Sequence, residues 1–234
     1  MATNMKKNNR KIFYLCAFIG VGFLFLQIPF TNIIGSSQQF SLFDFFAPTI
    51  GAFLTSLWGA LSVVIVKLAN ALITDQSLDA ATVVRLFPLA LAALYFGARR
   101  YKTLVAMLPL ACIALFMLHP EGRGAWFYSL YWLIPLAASF AKRSLVFNSL
   151  GATFTAHAIG SVTFLYIFNL PAEVWIGLIP IVFLERMLFT GGTALSYIVM
   201  NSLADHVADK LSIRTLKRLV QPNYTFSRRL LQNL

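Results

Sequence analysis

The sequence predicts an all-α fold, a polytopic bundle of membrane helices. The chain is 59% hydrophobic and only 12% charged, where a soluble globular domain carries about 25% charged residues. Long apolar runs recur from the N-terminal region to residue 200, and about 20 such residues cross a hydrocarbon core of roughly 30 Å. In lipid the backbone must satisfy its own hydrogen bonds, so each crossing is a helix. The runs do not alternate with a period of two, which excludes a β-barrel. The net charge of +11 then reads as loop charge on the cytoplasmic side rather than as a nucleic-acid surface.

Taken in order, Lys6, Lys7, Arg10 and Lys11 precede an apolar run at 12–34. That run is too long for a signal peptide and no small-residue cleavage site follows it. It reads as an uncleaved first helix with a cytoplasmic N-terminus. A polar, uncharged segment at 35–43 leads into the stretch 45–73, 29 residues whose one charge is Lys67, with Asp44 at its edge.

Later runs lie at about 82–97, 103–118, 125–141, 146–169 and 174–200. Arg99, Arg100 and Lys102 mark one connection as cytoplasmic, and Lys142 and Arg143 mark another. So do the six cations after Asn201: Lys210, Arg214, Lys217, Arg218, Arg228 and Arg229. The connections at 119–124 and 169–173 fall outside. Both ends of 45–73 then lie on the outer side, which one helix cannot satisfy. Two short helices of about 14 residues, each roughly 21 Å long, satisfy it with a tight turn near Trp58, Gly59 and Ala60. The expectation is eight membrane segments over 1–201, both termini in the cytoplasm of a cell-membrane protein, and a basic tail at 202–234. Rival counts are seven, with 45–73 as one tilted helix, and six. Leu203, Val207, Leu211, Leu216 and Leu219 give the tail an amphipathic helical pattern, suited to anionic lipid or to a protein partner.

Ionisable residues at membrane depth are costly and mark candidate functional sites. Lys67, Arg85, His157, Glu185 and Arg186 are such residues, and Asn70 shares a helix face with Lys67. Lys67, Asn70 and Arg85 are expected to line one outward-opening cavity, with His157, Glu185 and Arg186 at mid-depth on the last two helices. Lys67, Arg85, Arg186 and Glu185 together carry +2, which favours a ligand bearing a carboxylate or phosphate. The competing assignments are structural. Lys67 pairs with Glu185, Arg85 snorkels to the interface, and His157 joins helices. Ala152, Ala156 and Gly160 form a stripe of small residues for close helix contact. Thr190, Gly191, Gly192 and Thr193 offer either packing or a helix break.

The sequence contains no P-loop, no H-E-x-x-H and no G-x-S-x-G pattern. Cys16 and Cys112 lie inside apolar runs, and with three histidines they suggest no metal site and no cofactor. Two alternatives to a transporter stay open: a membrane scaffold without substrate, and an intramembrane transferase using Glu185 or His157 as general base.

The 44–73 stretch has Pro48, Gly51 and then Trp58-Gly59-Ala60. It is followed by a loop with Asp75 and Asp79 and by the Arg99–Arg100 turn. Over about residues 12–118 this pattern resembles the substrate-binding (S) components of energy-coupling factor transporters. That family usually has six membrane helices. Its first helix often carries two alanines four apart, where this chain has Ala17 and Gly20. The resemblance implies capture of a vitamin or similar micronutrient from outside. It also implies uptake driven by a separate transmembrane coupling subunit and ATPases. It carries over no ligand residues.

Overall fold

A computed structural model describes residues 16–32, 39–98, 101–141 and 144–226. Lys6, Lys7, Arg10, Lys11, Arg99, Arg100, Lys142, Arg143, Arg228 and Arg229, which carried much of the topology reading, lie outside the described residues. The described residues are all-helical apart from one small ribbon. Among them three helices are long and apolar enough to cross a membrane: Ser56–Ile73, Leu145–Phe168 and Ala172–Lys210.

Helix α1 (Cys16–Leu26) lays Phe18 against Phe46 and Phe53, with ring centroids 6.2 and 5.1 Å apart. It does not continue to residue 34. Pro29 biases Ile28 away from helical backbone, and β1 (Pro29–Asn32) pairs antiparallel with β2 (Gln39–Ser41). Ser41 then caps α2 (Leu42–Leu54) through a capping box in which the Asp44 carboxylate accepts the Ser41 N–H at 2.7 Å.

The 45–73 stretch is two helices, α2 and α3 (Ser56–Ile73). The break falls at Thr55, with φ 81°, three residues or more before the turn expected at 58–60. Gly59 serves close approach instead of the turn. A Cβ on Gly59 would meet the Gly51 backbone, and one on Gly51 would meet the Ala93 carbonyl. Any side chain there would therefore force these helix backbones apart. Leu57, Leu61, Ile65, Leu68 and Leu72 stand exposed along α3, while Gly59, Ser62, Val63 and Val66 are buried. The outward stripe is apolar at helical spacing, the face that hydrocarbon would cover at no cost.

After α4 (Ala80–Val84), α5 (Phe87–Gly97) runs through the centre of the bundle, packed on α2, α3 and α9. Helix α6 (Lys102–Leu118) and the short α7 (Pro120–Gly124) follow. The run expected as one helix at 125–141 is a 3-10 helix (Trp126–Leu133) continued by α8 (Ile134–Phe140). Pro135 lies at the start of α8, where its missing N–H costs nothing.

Helix α9 (Leu145–Phe168) starts at a Ser144 cap and ends at Asn169, whose φ of 47° is left-handed. Helix α10 (Ala172–Lys210) has 39 residues, about 58 Å at 1.5 Å per residue, and so outruns a bilayer core. It passes unbroken through Thr190–Thr193. Gly192 is there for packing, because a Cβ would strike the Phe45 ring at 2.6 Å. The residue 201–202 boundary lies inside α10. The tail does not form the expected amphipathic helix over 202–220. Its first residues extend α10, and the chain up to residue 226 turns back through α11 (Arg214–Lys217) and a short 3-10 turn (Pro222–Tyr224). Asn201, fully buried, secures this return by accepting the Gln221 N–H at 2.8 Å and donating to the carbonyls of Gln221 and Tyr224.

Candidate functional site

Folding α2 back on α3 at Thr55 sets Asp44, eleven residues before the break, opposite Lys67, twelve after it. Around them lies a cavity of about 440 Å³, within the size of small-molecule sites, about 300–1,000 Å³. Asp44, Lys67, Asn70 and Arg85 line it, with Gln27 and Gln76 adding amides. Leu26, Pro29, Phe40, Phe43 and Leu86 form its apolar wall.

Each polar group is positioned by a different element. Lys67 Nζ donates to the Arg85 carbonyl at 2.8 Å, tying α3 to the turn between α4 and α5. Gln27 Nε2 donates to Asn70 Oδ1 at 2.8 Å, tying the end of α1 to α3. Asp44 Oδ2 takes the Ser41 N–H and, at 3.0 Å, the Ser41 hydroxyl. Arg85 lays its guanidinium 5.4 Å from the centre of the Phe164 ring of α9. Its Nε is buried without an acceptor among the described residues. Arg85 is half-buried, held by this stacking rather than reaching free to the surface.

Sequence reasoning named Lys67, Asn70 and Arg85, and the fold brings these three together. It does not bring the other three to the same wall. Glu185 pairs with Arg186, its neighbour in the chain, at 2.7 Å, so the Lys67–Glu185 bridge does not form. Adjacent helical residues diverge by about 100°, but both side chains are long enough to bend toward one another. Arg186 stacks between Phe189 and Phe40, with centroid distances of 4.4 and 5.7 Å. It stands behind Phe40, which lines the cavity.

His157 is fully engaged elsewhere. Trp132 Nε1 donates to its Nδ1 at 3.0 Å. A tryptophan only donates, so the ring proton sits on Nε2, which faces Tyr128 Oη at 2.8 Å and Ser161 Oγ at 3.3 Å. With its basic lone pair occupied, the imidazole joins α9 to the 3-10 helix. Thr153 and Thr190 add a 3.1 Å contact between α9 and α10. Among the described residues no cluster of His, Cys, Asp and Glu is arranged to hold a metal ion.

Sequence reasoning missed Asp44 as a site residue. The signal was present in Ser41-x-x-Asp44 at the mouth of an apolar run, with Lys67 on the returning arm. A turn placed at Gly59 puts Asp44 opposite residue 74 instead, which hides the pair.

Outside the membrane segments, Lys217 reaches Asp205 and Asp209 at 2.7 and 2.6 Å. Hydrogen bonds to the two carboxylates raise its pKa above the ordinary lysine value.

Comparison with known proteins adds one relative. No family model matches the chain, and no solved structure matches it. An uncharacterised protein of Methanocaldococcus jannaschii is 29% identical over 209 residues, covering 79% of this chain and 69% of that protein.

Proposed function

We propose that the chain is an integral membrane uptake protein for a small molecule, the substrate-binding subunit of a vitamin or micronutrient transporter driven by separate ATPase subunits. The observation that supports this is the cavity. Polar and ionised side chains from α1 to α5 converge on one volume of ligand size, at the 74–86 end of a bundle whose outer faces are apolar. Lys67, Asn70 and Arg85 face the ligand. Eight helical segments cross the membrane in the order α1, α2, α3, α4–α5, α6, 3-10–α8, α9 and α10, with both termini in the cytoplasm and the cavity opening outward. The chain carries no P-loop, which suits a subunit that borrows its energy from a partner.

The test is purification in mild detergent followed by mass spectrometry of small molecules released on denaturation. A molecule recovered from wild type, and depleted from Lys67→Met and Arg85→Gln preparations that stay folded and monodisperse at the purification temperature, is the expected result. Equal recovery from all three removes the cavity as the binding site. Recovery from none, with no thermal shift across a panel of micronutrients, removes the uptake reading.

A further inference from the structure

We propose that Arg85 is the anion anchor of this cavity and that its ligand carries a single carboxylate; the inference rests on the uptake reading above. Three side chains of ionisable type line the cavity: Asp44, Lys67 and Arg85. Asp44 and Lys67 are of opposite sign and offset one another across the cavity, without an ion pair between them. Both are also engaged locally. One N–H of the Lys67 ammonium goes to the Arg85 carbonyl, and Asp44 Oδ2 takes the Ser41 N–H and hydroxyl. The nearby Arg186 is neutralised by Glu185.

Arg85 is the ionised group left over. Among the described residues neither it nor Lys67 has a carboxylate within ion-pair distance, but Lys67 Nζ has an acceptor, whereas the Arg85 Nε is buried without one. The contact with Phe164 uses no hydrogen-bond donor, and among the described residues no side-chain hydrogen bond engages the guanidinium edge. That edge presents parallel donors that match a carboxylate bidentately. With Asp44 and Lys67 offsetting one another, the lining carries +1 from Arg85, so one negative charge neutralises the site, whereas a phosphate monoester at close to −2 overshoots. Net charge away from water is costly in either direction. Lys67 is then a positioning residue. It grips the turn that carries Arg85, and the carboxylate sits on Arg85 itself.

The experiment measures thermal midpoints of the full chain in phosphatidylcholine nanodiscs at constant ionic strength. The probes are benzoate, its neutral isostere benzamide, and phenyl phosphate. Wild type should be stabilised saturably by millimolar benzoate, less by phenyl phosphate and not by benzamide. Arg85→Gln should weaken benzoate roughly tenfold or more and erase its advantage over benzamide. Arg85→Lys, which keeps the charge without the fork, should retain a weakened preference. Lys67→Met should lower benzoate affinity while keeping the preference, the mark of a residue acting through Arg85.

No response to benzoate, an equal response to benzamide, or an unchanged preference in Arg85→Gln overturns the anchor. Phenyl phosphate binding tighter than benzoate overturns the monocarboxylate. A neutral or cationic molecule recovered from the purified protein overturns this inference and leaves the uptake reading standing.

Discussion

Lys67 Nζ donates a 2.8 Å hydrogen bond to the backbone carbonyl of Arg85, joining the returning arm of the α2–α3 hairpin to the turn that opens α5. The ammonium therefore has a structural duty beside its charge. Lys67→Met should destabilise the protein by about 1–3 kcal/mol, the cost of a carbonyl left without its donor, read from thermal or denaturant unfolding in detergent. Adding Asp44→Asn should recover part of the loss, because Asp44 then no longer faces an apolar methionine as an uncompensated charge. Adding Glu185→Gln should recover nothing, since Glu185 is held by Arg186. Recovery with Glu185→Gln and none with Asp44→Asn would reverse the pairing.

His157 makes a second prediction. His157→Phe leaves the Trp132 N–H without an acceptor and the Tyr128 hydroxyl with Ser161 Oγ alone, at 3.4 Å, both on fully buried rings. An unpaired buried polar group costs about 1–3 kcal/mol, so a loss of about that size is expected. Trp132→Phe in the His157→Phe background should cost much less than in wild type, because its partner is already gone. Equal costs in the two backgrounds would show that the hydrogen bond contributes nothing to stability.

The helical class and the convergence of Lys67, Asn70 and Arg85 were legible because they follow from local rules: apolar run length and the expense of charge in lipid. What escaped depended on where backbones meet. The hairpin was readable from the charge pattern, but its break was not, because Thr55 takes a φ of 81° that nothing in its neighbourhood announces, while Gly59 looked like the natural turn. The misplaced break concealed Asp44. The tail misled for a related reason. Leu203, Val207 and Leu211 fit an interfacial helix by spacing, but Asn201 draws residues 221–224 back onto α10, a pairing between distant residues that periodicity does not carry.

Small residues on α9 give a third prediction. A Cβ on Gly151 would enter the Tyr95 ring, whereas one on Gly160 finds only Pro88 Cγ at 3.9 Å. The tight contact therefore sits at Gly151, five residues before Ala156, and not at Gly160. Gly151→Ala should cost about 1–3 kcal/mol by overpacking, since it pushes the Tyr95 hydroxyl off the Pro135 carbonyl it reaches at 2.6 Å. Gly160→Ala should be near neutral. The reverse order in a melting series would place the close helix contact elsewhere.

The tail clasp is a fourth. Asn201→Leu removes three hydrogen bonds to residues 221–224 and should free that segment. Limited trypsin digestion should then cut faster at Lys217 and Arg218, while cleavage elsewhere stays as in wild type. Unchanged digestion would mean that the Tyr224 ring against Tyr197 holds the tail without Asn201.

Orientation is the last prediction, and the fold gives it two independent parts. Ser77 lies in the connection before α4, beside the N-terminal end of α5, where Lys67 meets Arg85. Ser144 caps α9 at the other end, where Asn148 Nδ2 donates to the Phe96 carbonyl at 2.9 Å. The two serines therefore sit at opposite ends of α5. In a Cys16→Ser, Cys112→Ser background, an impermeant thiol reagent added to intact cells should label a cysteine at only one of the two positions. The second part comes from charge. Lys142 and Arg143 precede Ser144, while the Ser77 connection carries Asp75 and Asp79 and no cation. The positive-inside rule therefore puts Ser77 outside, and Ser77→Cys should label in intact cells while Ser144→Cys labels only after permeabilisation. Labelling at both positions, or at neither once the membrane is opened, would break the crossing arrangement. Labelling at 144 alone would keep the bundle but turn its cavity toward the cytoplasm, and a protein built that way does not capture a nutrient from outside.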